Sequence, residues 1–346
     1  MQAARYHGNR DVRIEEVAEP DPDPGEVVVD VETCGICGSD LGEYLYGPRY
    51  DDPDRLPYTM GHEVSGTVAE TTDGVDIDVG TEVVLNPLVA CGDCRQCDEA
   101  QYNLCENLRV IGAQRPGGYA ERVTVPAGNV ITVPDGVTLE MAAVAEPFAV
   151  AFHAVRKSPL SPGDTVAVVG MGPIGLGLVQ IAKAVGADTV VASGHREVRR
   201  TLADECGADV VVDPRESTLR DRIHTELGDG VDVAYEVAGN ESALNDAIKA
   251  ARVGGHATLV GVYKGTAEID PMDLVNDERS INASAAYQTG PMAARDFAPI
   301  LRRFETGDLD PHPLVTSTID LASIVDEGFE ALADSQGGEV KVLVRP

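Results

Sequence analysis

Four cysteines stand close together at Cys91, Cys94, Cys97 and Cys105, a C-x2-C-x2-C-x7-C spacing. Four thiolates on one short loop can enclose a tetrahedral Zn2+ with no open position, which is how a structural metal is held. Four free thiols are the plainer alternative, but this spacing reads as metal-binding. A second set is dispersed. It comprises Cys34, Cys37, Ser39 and Asp40 in Cys34-Gly35-Ile36-Cys37-Gly38-Ser39-Asp40, then His62 and Glu63 after Gly61, and much later Glu146 before Pro147. Alone, a buried Cys or His is more often core than ligand. In company, a Cys, a His and one or two carboxylates can hold zinc with a position left for a substrate.

A third pattern, Gly170-Met171-Gly172-Pro173-Ile174-Gly175, follows an apolar run and opens a helical stretch. In that context G-x-G-x-x-G reads as a dinucleotide loop rather than a merely tight turn. The first Gly permits the turn, the second lets the backbone approach a pyrophosphate, and the third allows close helix–strand packing. An NAD site would carry an acid about 20 residues on, to bind the ribose hydroxyls. Here the next run ends at Ser193 and continues Gly194-His195-Arg196, with Arg199 and Arg200 close behind. Without a carboxylate to repel it, a 2′-phosphate has room at Gly194. The arginines can supply charge-assisted hydrogen bonds, so the pattern favours NADP over NAD. Solvated charges on a helix face are the alternative for these arginines.

These groups need two kinds of scaffold. Up to about Val133, short β-rich runs such as Val27–Val31, Val64–Val68 and Thr81–Leu85 alternate with Pro/Gly-rich turns, as in an antiparallel β domain. From Thr165, strand-like runs at Thr165–Val169, Thr189–Ala192, Asp209–Val212, Val231–Tyr235 and His256–Val260 alternate with helical stretches at Ile174–Val185, Glu197–Cys206 and Ser242–Arg252. That alternation implies an α/β fold with a doubly wound parallel sheet, open to a ligand at the strands' carboxyl ends. The tail after about Gly290 ends in Val340–Val344 and is too short to be a domain alone, so it should fold back onto the first one.

The 346 residues hold 27 Lys+Arg against 58 Asp+Glu, a formal charge of −31. Such a surface repels phosphate, which argues against a nucleic-acid or anionic-membrane partner. Only five of the basic residues are Lys: Lys157, Lys183, Lys249, Lys264 and Lys341. An acidic, Lys-poor chain reads as adapted to high salt. No targeting segment or membrane span is visible. Seven Cys, an odd number in a long chain, point to a reducing, cytoplasmic setting.

Taken together, Cys37-Gly38-Ser39-Asp40, Gly61-His62-Glu63, the four-Cys loop, Glu146-Pro147 and the Gly170–Gly175 loop resemble the zinc-containing medium-chain alcohol dehydrogenases, in the branch of sorbitol and (R,R)-butanediol dehydrogenases. The resemblance covers essentially the whole chain. It implies a Rossmann dinucleotide domain at 154–289, and a GroES-like catalytic domain at 1–153 and 290–346 that carries the structural zinc lobe. It implies that Cys37 and His62 ligate a catalytic zinc, and that Glu63 and Glu146 complete the shell or hold it through water. Cys34 is then a wall residue. Alcohol-type relatives have Cys at the Glu146 position, so the carboxylate favours the polyol branch.

The implied reaction is hydride transfer from a secondary alcohol to NADP, with the proton leaving through the Ser39 hydroxyl, the cofactor ribose and a His. That His usually lies two residues after the Asp, and here the position is Gly42. Sorbitol-type relatives carry Arg-Tyr near the last strand of the nucleotide domain. The matching stretch here is Ala285-Ala286-Tyr287, which favours a small vicinal diol over a long polyol. Tyr44 and Tyr46 are candidate cleft or packing residues. A sugar 1-dehydrogenase, a threonine dehydrogenase, a simple alcohol dehydrogenase or a non-catalytic nucleotide-binding protein are the competing readings. The family precedent is a homodimer or homotetramer joined near Ile281–Tyr287.

Overall fold

The computed structural model describes residues 1–48 and 55–346. The chain divides into two compact units, Met1–Glu146 with Gln288–Thr306 and Val315–Pro346, and Pro147–Tyr287 with Gly307–Leu314. These limits differ by a few residues from the expected 153/154 and 289/290 boundaries. The helix Ala145–Lys157 begins at the first unit's last residues, and from Phe148 onward it packs on the second, where Phe148 and Ala151 cover Gly177. The short segment Gly307–Leu314 joins the second unit through Gln180, whose side chain donates to the Asp310 carbonyl and accepts from its N–H.

The first unit is built on mainly antiparallel sheets. In the larger one the strands run Val130–Thr132, Glu82–Leu85, Glu63–Thr71, Glu26–Gly35, Lys341–Arg345 and Val315–Asp320, with Arg122–Pro126 also pairing Glu26–Gly35. The strand's period of two puts Val27, Val29 and Val31 into one core with Val64, Val68, Val83, Val342 and Val344, while Val28 is buried on the other face. The C-terminal strand is therefore a central strand of this sheet, with Leu343 opposite Gly35 and Val344 opposite Cys34.

The second unit holds a six-stranded parallel sheet. Its order is Val210–Val212, Thr189–Ser193, Thr165–Val169, Val231–Glu236, Ala251–Leu259 and Ser280–Ala283. Five of these strands were expected with ends shifted by a few residues. Ser280–Ala283 adds an edge strand that its polar composition did not announce. Ala251 and Arg252, expected to close a helix, instead begin a strand, because Ala251 pairs with Val231 across a register shift. The helices start where sequence chemistry allows. Pro173 sits in the first turn after Gly172, and the side chains of Thr218 and Asn240 accept from Asp221 N–H and Ala243 N–H.

Candidate active site

Cys37 caps the helix Gly38–Tyr46, so its sulfur lies at the positive end of that helix. His62 and Glu63 enter from the start of the strand Glu63–Thr71. The ligand atoms of Cys37, His62 and Glu63 all lie within 4.8 Å of one another. Glu146 stands outside that group, although it is buried and its charge reaches Lys341. Cys34 is also outside it. Burial pushes the Cys34 thiol well up, and Asp40 adds to the rise, so it stays neutral beside the site.

His62 is held from two sides. Its Nδ1 lies 3.3 Å from the Asp40 carboxylate, and its Nε2 lies 3.5 Å from Ser39 Oγ. Asp40 is itself buried and accepts from Tyr119 Oη at 2.6 Å. Burial opposes a charged imidazole, but Asp40 and Cys37 outweigh it and hold the His62 pKa well above its ordinary value. A carboxylate on one ring nitrogen is the support that fixes a metal-binding His and leaves the other nitrogen for the metal. Sulfur, imidazole and carboxylate in one small group are a donor set suited to zinc.

Glu63 has its own cradle. Both carboxylate oxygens accept from Lys341 Nζ, at 2.7 and 2.6 Å, and both side chains are 1 % exposed. A Cβ at Gly35 would overlap the carboxylate. Sequence reasoning missed Tyr119, Gly35 and Lys341. A signal did exist for Lys341: a lone Lys inside an apolar strand run needs a buried acid. Tyr44, a candidate cleft residue, is a packing residue. Its ring stacks on Phe329 at 4.7 Å and its hydroxyl donates to Glu330 at 2.6 Å. Tyr46 is 71 % exposed.

The four-Cys loop contains one short helix, Arg95–Asp98, capped by Cys94, and a 3-10 turn at Tyr102–Leu104. Its sulfurs gather at 3.6 Å (Cys94–Cys97), 3.9 Å (Cys94–Cys105) and 3.4 Å (Cys91–Cys105). A tetrahedron of thiolates about 2.3 Å from a central zinc has edges of about 3.8 Å, so the spacing fits that ion. Disulfides would need about 2.05 Å. Backbone N–H groups of Cys97 and Glu106 pull the Cys94 thiol down to about 7.

In the second unit the glycine loop behaves as its sequence suggests. Gly170 has φ +108 and lies against Ala238. Gly175 is pressed on the Gly170 carbonyl, while a Cβ at Gly172 would meet nothing within 4 Å. The protein itself thus places no constraint on Gly172. The open space is what a pyrophosphate at the helix N-terminus requires, with Pro173 and Ile174 following in the first turn.

The arginines divide. Arg200 donates to the Gly194 and His195 carbonyls at 3.0 and 2.8 Å and pairs with Asp213 at 3.0 Å. Asp213 is partly buried and held well below the carboxylate range, first by Arg215 and then by Arg200. Arg200 therefore fixes the Ser193–Arg196 turn instead of presenting a free guanidinium. Arg199 is pushed down to about 10 by burial and by Arg196, and its buried Nε meets no acceptor among the described residues. Gly194 has a steric reason of its own: a Cβ there would come within 3.0 Å of Met171 Cγ.

A family profile described as "Alcohol dehydrogenase GroES-like domain" matches residues 23–135, and one described as "Zinc-binding dehydrogenase" matches 173–306. An (R,R)-butanediol dehydrogenase of Bacillus subtilis (strain 168) is 40% identical over 358 residues, covering 100% of both chains. A sorbitol dehydrogenase of the same organism is 38% identical, covering 100% of this chain and 97% of that one. A crystal structure of a putative zinc-binding dehydrogenase from Sinorhizobium meliloti 1021, bound to NADP, aligns with TM-score 0.88 and 34% identity over 100% of this chain and 99% of that one.

Proposed function

We propose that this chain, which belongs to the zinc-containing medium-chain alcohol dehydrogenase family, interconverts a small vicinal diol and its hydroxyketone with NADP. The observation that carries the reading is the gathering of Cys37, His62 and Glu63 within 4.8 Å, with Asp40 fixing the His62 ring. Its resemblance to butanediol and sorbitol dehydrogenases directs the substrate toward adjacent hydroxyls. Ala285-Ala286-Tyr287 lacks a cation to grip distal hydroxyls and favours the shorter diol.

Cys37, His62 and Glu63 would hold one zinc, with Glu146 at its margin, and Cys91, Cys94, Cys97 and Cys105 would hold a second. Bound zinc supplies Lewis acidity to an alcohol hydroxyl, and bound nicotinamide the hydride-accepting carbon. The chain's own groups orient that chemistry. Asp40 keeps the His62 ring fixed, Tyr119 keeps Asp40 fixed, and Ser39 Oγ provides a hydroxyl beside the site through which a proton can leave. Gly42 supplies no imidazole for the last step, so the proton passes to water or to another group. An edge strand at Ser280–Ala283 with one neighbour among the described strands supports a homodimer or homotetramer. No described helix is long and apolar enough to cross a membrane, and the seven cysteines, none of them in a disulfide, support a reducing, cytoplasmic setting.

Steady-state kinetics on a panel of diols, polyols, aldoses and threonine, each with NADP and NAD, tests the reading. Expected is the highest kcat/KM for a vicinal diol with NADP. A higher value for threonine or an aldose overturns the substrate, and a higher value for NAD overturns the cofactor. In the same assay Arg199→Ala should lower kcat/KM for NADP about tenfold or more and leave NAD nearly unchanged. A charge-assisted hydrogen bond to the 2′-phosphate contributes about 1.5–3 kcal/mol, and 1.4 kcal/mol is tenfold. Arg200→Ala should harm both cofactors alike, because it frees the turn and strips Asp213 of a partner.

The charge of −31 carries a further expectation. Screening of acidic self-repulsion should raise the thermal unfolding midpoint steadily from low to molar KCl. A flat or falling midpoint would remove the case for adaptation to salt.

A further inference from the structure

Lys341 is 1 % exposed and spends all three ammonium protons inside the protein. Two go to the Glu63 oxygens and the third to the Ile36 carbonyl at 2.9 Å. A buried ammonium needs such partners, since desolvating it alone is costly. The partners are not incidental to the metal centre. Glu63 is one of the three residues whose ligand atoms converge, and Ile36 precedes Cys37, another of them. The charges of Cys37 and Glu146 also act on Lys341. Gly35 also lies against Glu63, because a Cβ there would overlap the Glu63 carboxylate. Glu63 is thus confined by a backbone with no side chain and by a fixed cation.

We infer that Lys341 is a positioning residue that serves as the internal counter-cation of the metal centre: it holds and neutralises Glu63 when no metal is bound, and competes with the metal for that carboxylate. The inference rests on the reading of Cys37, His62 and Glu63 as metal ligands. Its logic is charge balance. A carboxylate buried without a compensating cation is costly. Lys341 supplies that cation permanently, so the empty site survives folding. A divalent ion then gains less from Glu63 than it would from an unpaired carboxylate, so the centre binds metal more weakly than its donor set allows. Without the ammonium the order reverses. The empty site loses stability, and the metal, no longer competing with an ammonium for Glu63, is held more tightly.

The test is Lys341→Met in the full chain, loaded with zinc or cobalt and titrated with a chelator. Zinc per chain and the cobalt–thiolate absorption report release from each centre. Expected is that release from the Cys37 centre needs about tenfold more chelator than in the wild type, or beyond, the size of one charge-assisted hydrogen bond. The metal-free variant should also unfold at a lower temperature than metal-free wild type. The four-Cys metal is the internal control and should not move. Equal or easier release from the Cys37 centre overturns the inference. Lys341→Gln, which keeps a donor but not the charge, covers the case in which the Met variant fails to fold, and should show the same direction. If neither variant folds even at saturating zinc, the ammonium is needed in the loaded protein too, and the counter-cation role is wrong. A wild type with one zinc per chain would instead refute the metal centre itself.

Discussion

Replacing His62 with Ala should leave a protein with one zinc per chain where two are expected in the wild type, and with turnover reduced by about 10³-fold or more. The size follows from the role. Lewis-acid activation is worth several kcal/mol of barrier, and each 1.36 kcal/mol is a factor of ten. The fold should survive. His62 is partly exposed, and Asp40 keeps its bonds from Tyr119 Oη and the Cys37 N–H when the ring is removed. The loss should fall on kcat and kcat/KM together, because polarisation of the hydroxyl is realised in the transition state rather than in substrate binding. Metal analysis beside kinetics decides it. Undiminished turnover in a variant holding only the four-Cys metal would show that the reaction runs elsewhere.

What could be read from the sequence divides along contact distance in the chain. The four cysteines and the glycine loop are contiguous, so spacing alone encodes their proximity, and the structure gathers them as written. Cys37 and His62 are separated by the helix Gly38–Tyr46 and the chain that follows it, and only residue type and a family resemblance joined them in advance. Lys341 lies 278 residues from Glu63, and its role follows from the C-terminal strand's place beside Glu26–Gly35, which no local pattern states. Tyr119 reaches Asp40 in the same non-local way.

The arginine turn shows a different limit. Arg196, Arg199 and Arg200 look interchangeable as charges on one helix, but Asp213, a strand away, claims Arg200. Gly194 looked like room left for a phosphate. Met171 packed against it gives a second reason for glycine. It follows that Gly194→Asp is a poor test of cofactor choice. Its Cβ would have to displace Met171 in the dinucleotide loop itself, and binding of both cofactors would fall for steric reasons.

The complementary experiment is Cys97→Ser in the four-Cys loop, and its effect should be the mirror image of His62→Ala. The loop's apolar packing is small: Cys94, Cys97 and Cys105 make a cluster with Ala90, Tyr102 and Leu108. Structural zinc contributes about 10–16 kcal/mol in isolated zinc-binding peptides, far more than so small a cluster can replace. A serine hydroxyl is a poor substitute for a thiolate ligand, so one zinc per chain should be lost and the segment between Cys91 and Cys105 should unfold. The unfolding should stop at its base, where Leu88 and Val89 pair with Val110 and Arg109. Limited proteolysis under reducing conditions should therefore cut inside the loop at least tenfold faster than in the wild type, because cleavage follows the population of the opened segment. Metal at the Cys37 centre should remain, since the two centres share no ligand. Loss of both metals together would mean that the loop is a support for the reactive centre and not an independent clamp. An uncut loop in a protein that has lost its zinc would mean that packing, not metal, holds it.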